Sequence, residues 1–170
     1  MNRIAYTLVL ALAACGPQSA DVAKARESVY QAEYATVWNA VQAEIDNRFA
    51  DRIKIADGNR GYIETQWESV EASVEHVAGT GDMTANSRNP VGARDMFRLF
   101  VRIQEGGPPW KVVVDGEAAR YSPGLTVMQP YKHGDDDEPQ WVPGRIDAAR
   151  MGIYERLKQY AVSPPQARTP

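Results

Sequence analysis

Cysteine is almost absent from this chain, since Cys15 is the only one among 170 residues. A single cysteine cannot form an intramolecular disulfide, so a hydrophobic core must hold the folded part together. Histidine is nearly as scarce: the 2 residues are His76 and His133. They lie far apart in the chain and have no cysteine or histidine partner at the spacing of a zinc site. We therefore expect no metal site and no cofactor.

Other signals are missing as well. The chain carries 19 Lys and Arg against 22 Asp and Glu, with no basic run, which argues against nucleic-acid binding. It has no Gly-Lys-Ser/Thr phosphate loop and no G-x-S-x-G nucleophile elbow. The acidic stretch Asp135 to Glu138 lacks the alternating spacing of a calcium loop, so a solvated loop is the simpler interpretation. These absences favour a protein that is not an enzyme.

The N-terminus carries the most specific pattern. Arg3 is followed by the apolar run 4–14, which is shorter than the roughly 20 residues that a membrane-spanning helix needs. A positive charge, a short apolar run and small residues before a cleavage point are typical of a secretory signal peptide. Leu12-Ala13-Ala14-Cys15 resembles the lipobox of bacterial lipoproteins, which implies removal of residues 1–14 and lipidation (palmitate) of Cys15. In lipoproteins of enteric bacteria, aspartate after the lipidated cysteine tends to retain the protein in the inner membrane. Gly16 occupies that position here, so the resemblance implies sorting to the outer membrane, on its periplasmic side.

The remaining chain divides into three parts. Residues 15–27 are small and polar without an apolar period, which predicts a flexible tether. Residues 28–162 carry the periodic segments and form one α+β domain. Residues 163–170 form a disordered tail.

Two segments have helical periodicity. Val37, Trp38, Val41, Ile45 and Phe49 share one face of a helix, with Thr36 as the expected N-cap. A second helix near the C-terminus has one apolar face. That face is formed by Ile146, Ala149, Ile153, Leu157 and Tyr160.

Two β-hairpins lie between the helices. In the first, Ile63, Thr65 and Trp67 alternate with polar residues after the turn at 57–61, and we expect all three to face inward. In the second, apolar residues alternate on both sides of the turn at 106–109. The order (β)-α-β-β-β-β-α predicts an antiparallel four- to five-stranded sheet with two helices on one face, similar to helix-grip and TBP-like folds.

The segment 29–68 also resembles a known domain. Val37-Trp38-Asn39-Ala40-Val41 on a helix, followed by Gly61-Tyr62-Ile63-Glu64-Thr65-Gln66-Trp67 on a strand, is similar to the repeated domain of BamC-like lipoproteins. That family serves the machinery that inserts β-barrels into the outer membrane. The resemblance implies the fold and a lipoprotein setting, and it brings no catalytic residues.

Two long stretches lack sustained periodicity, 69–95 and 122–143. In an antiparallel meander they leave the sheet at the same end, where they form what we call the loop rim. Aromatic residues, methionine and arginine are enriched in interfaces. The candidate partner-binding residues of the rim are Met83, Arg88, Arg94, Met128, Tyr131 and Trp141. The alternative is that Trp141 and Tyr131 only cover the core.

The outer face of the sheet is mixed in character. It carries charged residues but also Tyr62 and Phe100, which are apolar for a fully solvated face. This composition favours either a loop cover or a docking surface.

These observations support two functional hypotheses of different classes. The first is an adaptor in an envelope protein complex, with β-barrel assembly as the candidate system. The second is a lipoprotein that binds a small lipid or glycan between sheet and helix. A hydrolase ranks third, because no set of the required residue types stands out.

Overall fold

The computed structural model describes residues 19–70, 94–104, 106–122, 124, 127–132, 134 and 138–163. The helices are α1 (Ser19–Glu27), α2 (Tyr34–Phe49) and α3 (Trp141–Leu157). The strands are β1 (Val29–Tyr30), β2 (Ile53–Asp57), β3 (Tyr62–Thr65), β4 (Glu68–Val70), β5 (Arg94–Ile103), β6 (Val112–Tyr121), β7 (Gln129–Pro130) and β8 (Ala161–Val162). The predicted α+β class with an antiparallel sheet is confirmed.

The main sheet has six strands. Its order is β2-β3-β5-β6-β7, with β4 also pairing with β5, while β1 and β8 form a separate antiparallel pair. The β5–β6 hairpin is its longest ladder, with register from Arg94 opposite Tyr121 to Ile103 opposite Val112. Gly106 and Gly107 have positive φ angles in the connecting turn, a conformation that glycine adopts without steric cost.

The core lies between one face of this sheet and helices α2 and α3. Alternating residues of β5 and β6 point into it, as the period of two predicts. The helical stripe is also confirmed, since Val37, Val41 and Ile45 are each 0% exposed. Thr36, however, is not the N-cap: the helix begins at Tyr34, and the Thr36 and Val37 amides donate to the Glu33 carbonyl oxygen.

Helices α2 and α3 approach each other closely at Gly152. A Cβ atom there would lie 1.8 Å from Glu44 Oε1, so only glycine leaves room for that carboxylate. The Glu44 side chain is buried and accepts hydrogen bonds from Arg48 and Arg156. A buried charge needs such partners, because an unpaired one is costly in a low-dielectric interior.

The N-terminal segment differs from the sequence prediction. Residues 19–27 were expected to belong to a flexible tether, but they form α1, which packs along α3. Ala25 is buried, and Arg26 Nη2 lies 2.6 Å from Asp147 Oδ2. The segment has no apolar stripe to reveal a helix, and its contact includes the buried alanine, this ion pair and Lys24, which lies over the Tyr154 ring of α3. Among the described helices, none combines the length and apolar character needed to cross a bilayer.

A one-residue bulge separates β3 from β4. Glu64 lies opposite Phe100, yet Glu68 lies opposite Phe97, so four steps along one strand match three along the other. Such an extra residue reverses which face each later side chain occupies. Glu68 and Val70 therefore point inward, and Trp67 points outward. The expectation that Trp67 faces the core is wrong for this reason.

Thr65 supplies a hydrogen-bond acceptor that the strand pairing lacks at the bulge. The Leu99 amide donates to Thr65 Oγ1 at 2.9 Å, a side-chain bond in a place where strand pairing would supply a carbonyl oxygen. Thr65 and Leu99 are each only 1% exposed, so water cannot replace this bond. The Thr65 hydroxyl thus satisfies a buried amide that the bulge would leave unpaired.

Candidate functional site

The face of the sheet opposite α2 and α3 is the candidate functional surface, which we call the outer face. Glu64, Arg98, Phe100, Arg102 and Glu117 lie on it, because each pairs across the ladders with another outward-facing position. None of the described helices packs on this face, since the core lies on the other side. The described helices therefore leave its side chains uncovered.

Arg98 organises the centre of the outer face. Its Nε and Nη2 atoms donate to Glu117 Oε2 at 2.9 and 2.6 Å, and its Nη1 donates to Glu64 Oε1 at 3.0 Å. Its Cζ lies 4.6 Å from the ring centroid of Trp67 and 4.9 Å from that of Phe100. This guanidinium has both carboxylate and aromatic partners. It is therefore a rigid part of the surface.

Glu64 is the buried partner of this centre, with 7% of its area exposed. Lys54 Nζ donates to Glu64 Oε1 at 2.9 Å, and the Tyr62 hydroxyl donates to Oε2 at 3.2 Å. The hydrogen bond from Lys54 lowers the pKa of Glu64 below its ordinary value, and Tyr62 and Arg98 act in the same direction, outweighing burial, which raises it. Glu64 thus stays ionised and holds Arg98 in place.

An open groove of about 700 Å³ lies beside this centre, and we call it the Trp67 groove. Trp67 and Arg98 line one part of it, while Val127 and Met128 come from the segment that leads into β7. The volume falls within the range of roughly 300–1,000 Å³ that is usual for ligand pockets. Val127 is 72% exposed, so most of this apolar side chain lies in water.

The acidic side of the Trp67 groove comes from β6 and from Glu138. Glu117 is 54% exposed and gives one carboxylate oxygen, Oε2, to Arg98. Asp115 is exposed, and its Oδ1 accepts from the Gly116 amide. The groove therefore joins apolar side chains to carboxylates at its border.

Tyr131 lies next to the groove but is also part of the fold. Its hydroxyl donates to Asp95 Oδ1 at 2.9 Å, and its amide donates to the Ala118 carbonyl oxygen. Burial, followed by the bond to Asp95, raises the pKa of Tyr131 to about 12. Tyr131 also lines a second groove of about 790 Å³ with Arg120 and Lys132.

Trp141 lies on the helical side of the sheet. Its ring contacts that of Phe97 edge-on, with 5.8 Å between centroids, and it packs partly buried against the core. Arg145 lies over both rings. For Trp141, the structure favours the interpretation that it covers the core, and Tyr131 combines that role with lining the grooves.

The other predicted site residues divide into two groups. Arg94 is exposed at the start of β5, and Met128 lines the Trp67 groove. The rest lie outside the described residues. They are Cys15, Met83, Arg88, His76, His133, and Asp135 to Asp137.

The edge strands β2 and β7 have features that hinder strand addition, and β7 covers β6 only at Ala119 and Arg120. In β2, the register shifts between Ile53 and Ile55, and Lys54 lies at the shift. At the opposite edge, β7 is two residues long and contains Pro130, which has no amide hydrogen. Bulges, lysine, proline and short length all discourage edge pairing. The outer face is therefore a better candidate for docking than strand β2 or strand β7.

Sequence reasoning missed Trp67, Arg98 and Glu117 as site residues. One signal could have found Trp67: Ile63 and Thr65 have odd residue numbers, whereas the buried apolar residue Val70 has an even one. This change of phase indicates an inserted residue between them, and hence an outward Trp67. Among the described residues, no group of three or more His, Cys, Asp or Glu could hold a metal ion.

Comparison of the chain with protein-family models, with curated proteins and with solved structures finds no match.

Proposed function

We propose that this chain is an outer-membrane lipoprotein, anchored through lipid on Cys15 and facing the periplasm, that acts as a non-enzymatic adaptor in an envelope protein complex. The candidate system is the assembly of outer-membrane β-barrels. The N-terminal pattern and the BamC-like segment support the setting. The observation that carries the adaptor role is the outer face with its Trp67 groove.

The outer face has the composition expected of a protein interface. Trp67, Arg98 and Met128 are residue types that concentrate in interface cores. Arg98 is fixed by three hydrogen bonds to two carboxylates, so little side-chain entropy remains to be lost on docking. A surface that is already ordered loses less conformational entropy on binding than a flexible surface, and it therefore binds more tightly.

Membrane attachment would increase the effect of a modest interface. A lipid-anchored domain and a partner in the same membrane meet at a high effective concentration. One acyl chain binds a bilayer only marginally, and two or more anchor a protein stably. Only Gly16, Pro17 and Gln18 separate Cys15 from α1, a span of at most about 14 Å at roughly 3.5 Å per residue. The domain would therefore stay close to the bilayer surface.

The lipid- or glycan-binding alternative receives less support. It needs space between the helices and the sheet. The side chains there are tightly packed, with Val41, Ile45 and Phe97 each 0% exposed. A ligand in that layer would have to displace them.

Two experiments test the proposal. Mass spectrometry of the mature N-terminus should find an acylated Cys15, and Cys15→Ser should release the protein from outer membranes. A photo-crosslinking residue at Met128 should then capture a defined envelope protein in living cells. The same residue at Glu155, an exposed position on α3, is the matched control. An unmodified Cys15, or equal crosslinking from both positions, would overturn the proposal.

A further inference from the structure

We infer that the Trp67 groove binds an extended peptide segment of a partner protein in which an apolar side chain is flanked by lysine or arginine. This inference rests on the proposed function, because it names the kind of segment that such an adaptor would dock. It adds what the adaptor proposal leaves open, namely the surface that binds and the chemistry that it selects.

The apolar part of the occupant follows from the walls of the groove. Trp67 and Val127 contribute to them, together with Met128 from the same side as Val127. Val127 is 72% exposed, so covering it would remove a large apolar side chain from water. Methionine adapts its shape to different apolar partners, which suits a peptide-binding wall. An apolar side chain of the partner therefore belongs in the groove.

The flanking positive charges follow from the border of the groove. Its charged residues are Arg98, Asp115, Glu117 and Glu138, and the side chains of Asp115 and Glu117 are exposed. Arg98 is already paired with Glu64 and Glu117, so it offers little attraction to an anion. Glu117 is 54% exposed and gives Arg98 only its Oε2 atom. Lysine or arginine on the partner complements this border.

An extended conformation follows from the location of the groove. It lies along the outer side of β6, from Asp115 to Ala119, and beside the segment at Val127 and Met128. Side chains of an extended segment alternate between its two sides. One set can enter the groove while the next reaches the carboxylates.

The test uses the full-length chain in a nonionic detergent and three nine-residue peptides. The first has a central valine pair flanked by lysines, the second has glutamate in place of each lysine, and the third has serine in place of each valine. Isothermal titration, with empty micelles subtracted, should show binding of the first peptide at least about tenfold tighter than of the other two. Equal binding of the lysine and glutamate peptides would overturn the inference, as would no binding of the first.

Variants then locate the binding site. Glu117→Gln and Asp115→Asn should each weaken binding of the lysine peptide about threefold, and the double variant about tenfold, since exposed ion pairs are individually modest. Glu155→Gln removes an exposed carboxylate from α3 and is the matched control. Met128→Ser tests the apolar wall without touching the Arg98 centre. If the Glu117→Gln, Glu155→Gln and wild-type proteins bind the lysine peptide with equal affinity, the peptide binds elsewhere on the protein.

The outcomes separate this inference from the proposed function. If Cys15 is acylated and Met128 crosslinks a partner but the peptides show no selectivity, the groove chemistry is wrong and the adaptor proposal stands. If the lysine peptide binds selectively but Cys15 carries no lipid, the groove assignment stands and the membrane setting is wrong.

Discussion

Replacing Thr65 with valine should destabilise the fold although valine nearly matches threonine in shape. The Thr65 hydroxyl is the acceptor for the Leu99 amide at 2.9 Å, and both residues are 1% exposed. Valine would leave that amide buried without an acceptor. An unsatisfied buried donor costs about 1–3 kcal/mol. For a chain of this size, that corresponds to a fall in Tm of roughly 2–4 °C for each kcal/mol.

Thr65→Ser is the matched control. Serine keeps the hydroxyl and loses one methyl group, which costs about 0.8 kcal/mol of burial. We therefore expect valine to be the more damaging substitution, although it is the more apolar one. Hydrophobicity alone predicts the reverse order, so the comparison separates the two explanations.

The assay combines two readouts. Urea unfolding at pH 7 gives the free energy of unfolding, and amide hydrogen exchange gives the protection of Leu99 itself. In Thr65→Val, the Leu99 amide should exchange faster than in the wild type and in Thr65→Ser. Unchanged Leu99 protection in the valine variant, or a larger loss of stability in the serine variant, would refute the role assigned to the Thr65 hydroxyl.

Two further predictions concern charged groups. Gly152→Ala should destabilise the protein by about 1 kcal/mol or more in urea unfolding, because its Cβ would displace Glu44 from Arg156 and outweigh the higher helix propensity of alanine. Gly144→Ala in the same helix has no atom within 4 Å of the added Cβ and should not destabilise, so equal losses at both sites would contradict this account. The lowered pKa of Glu64 means that its contribution to stability is fully present above the ordinary value of 4.5 and is lost as pH falls through the lower folded value. The stability gap between wild type and Glu64→Gln should therefore be larger at pH 7 than at pH 3, and a constant gap would show that ionisation of Glu64 does not matter.

Much of the fold could be predicted because its main helix and strands follow from the spacing of apolar residues along the sequence. The stripe of Val37, Val41 and Ile45 predicts a helix packed on a core, and the strict alternation on β5 and β6 predicts a long hairpin. These patterns reflect burial of one apolar face, and the removal of apolar surface from water is the main driving force of folding. The spacing of apolar residues can be recognised even where the individual residues have weak helix or strand propensity.

The elements that escaped prediction depend on single contacts. The contacts of helix α1 include the buried Ala25, the ion pair between Arg26 and Asp147, and Lys24 over the Tyr154 ring, and none of them produces a period. The start of α2 also differs, because the Glu33 backbone carbonyl takes the place that a Thr36 cap was expected to fill. Contacts between distant residues leave no local signal in a sequence.

The bulge after β3 links the stability of the fold to the candidate surface. The extra residue that turns Val70 inward also turns Trp67 outward against Arg98, and the Thr65 hydroxyl satisfies the amide left unpaired at the same point. Without the bulge, strict alternation would bury Trp67, and Arg98 would lose one of its aromatic partners. Bulges are common where a side chain must point to the opposite face of the sheet from the one that regular alternation would give. The outward position of Trp67 is therefore built into the pairing of β4 with β5, and a partner that docks in the groove meets a wall that the sheet itself holds in place.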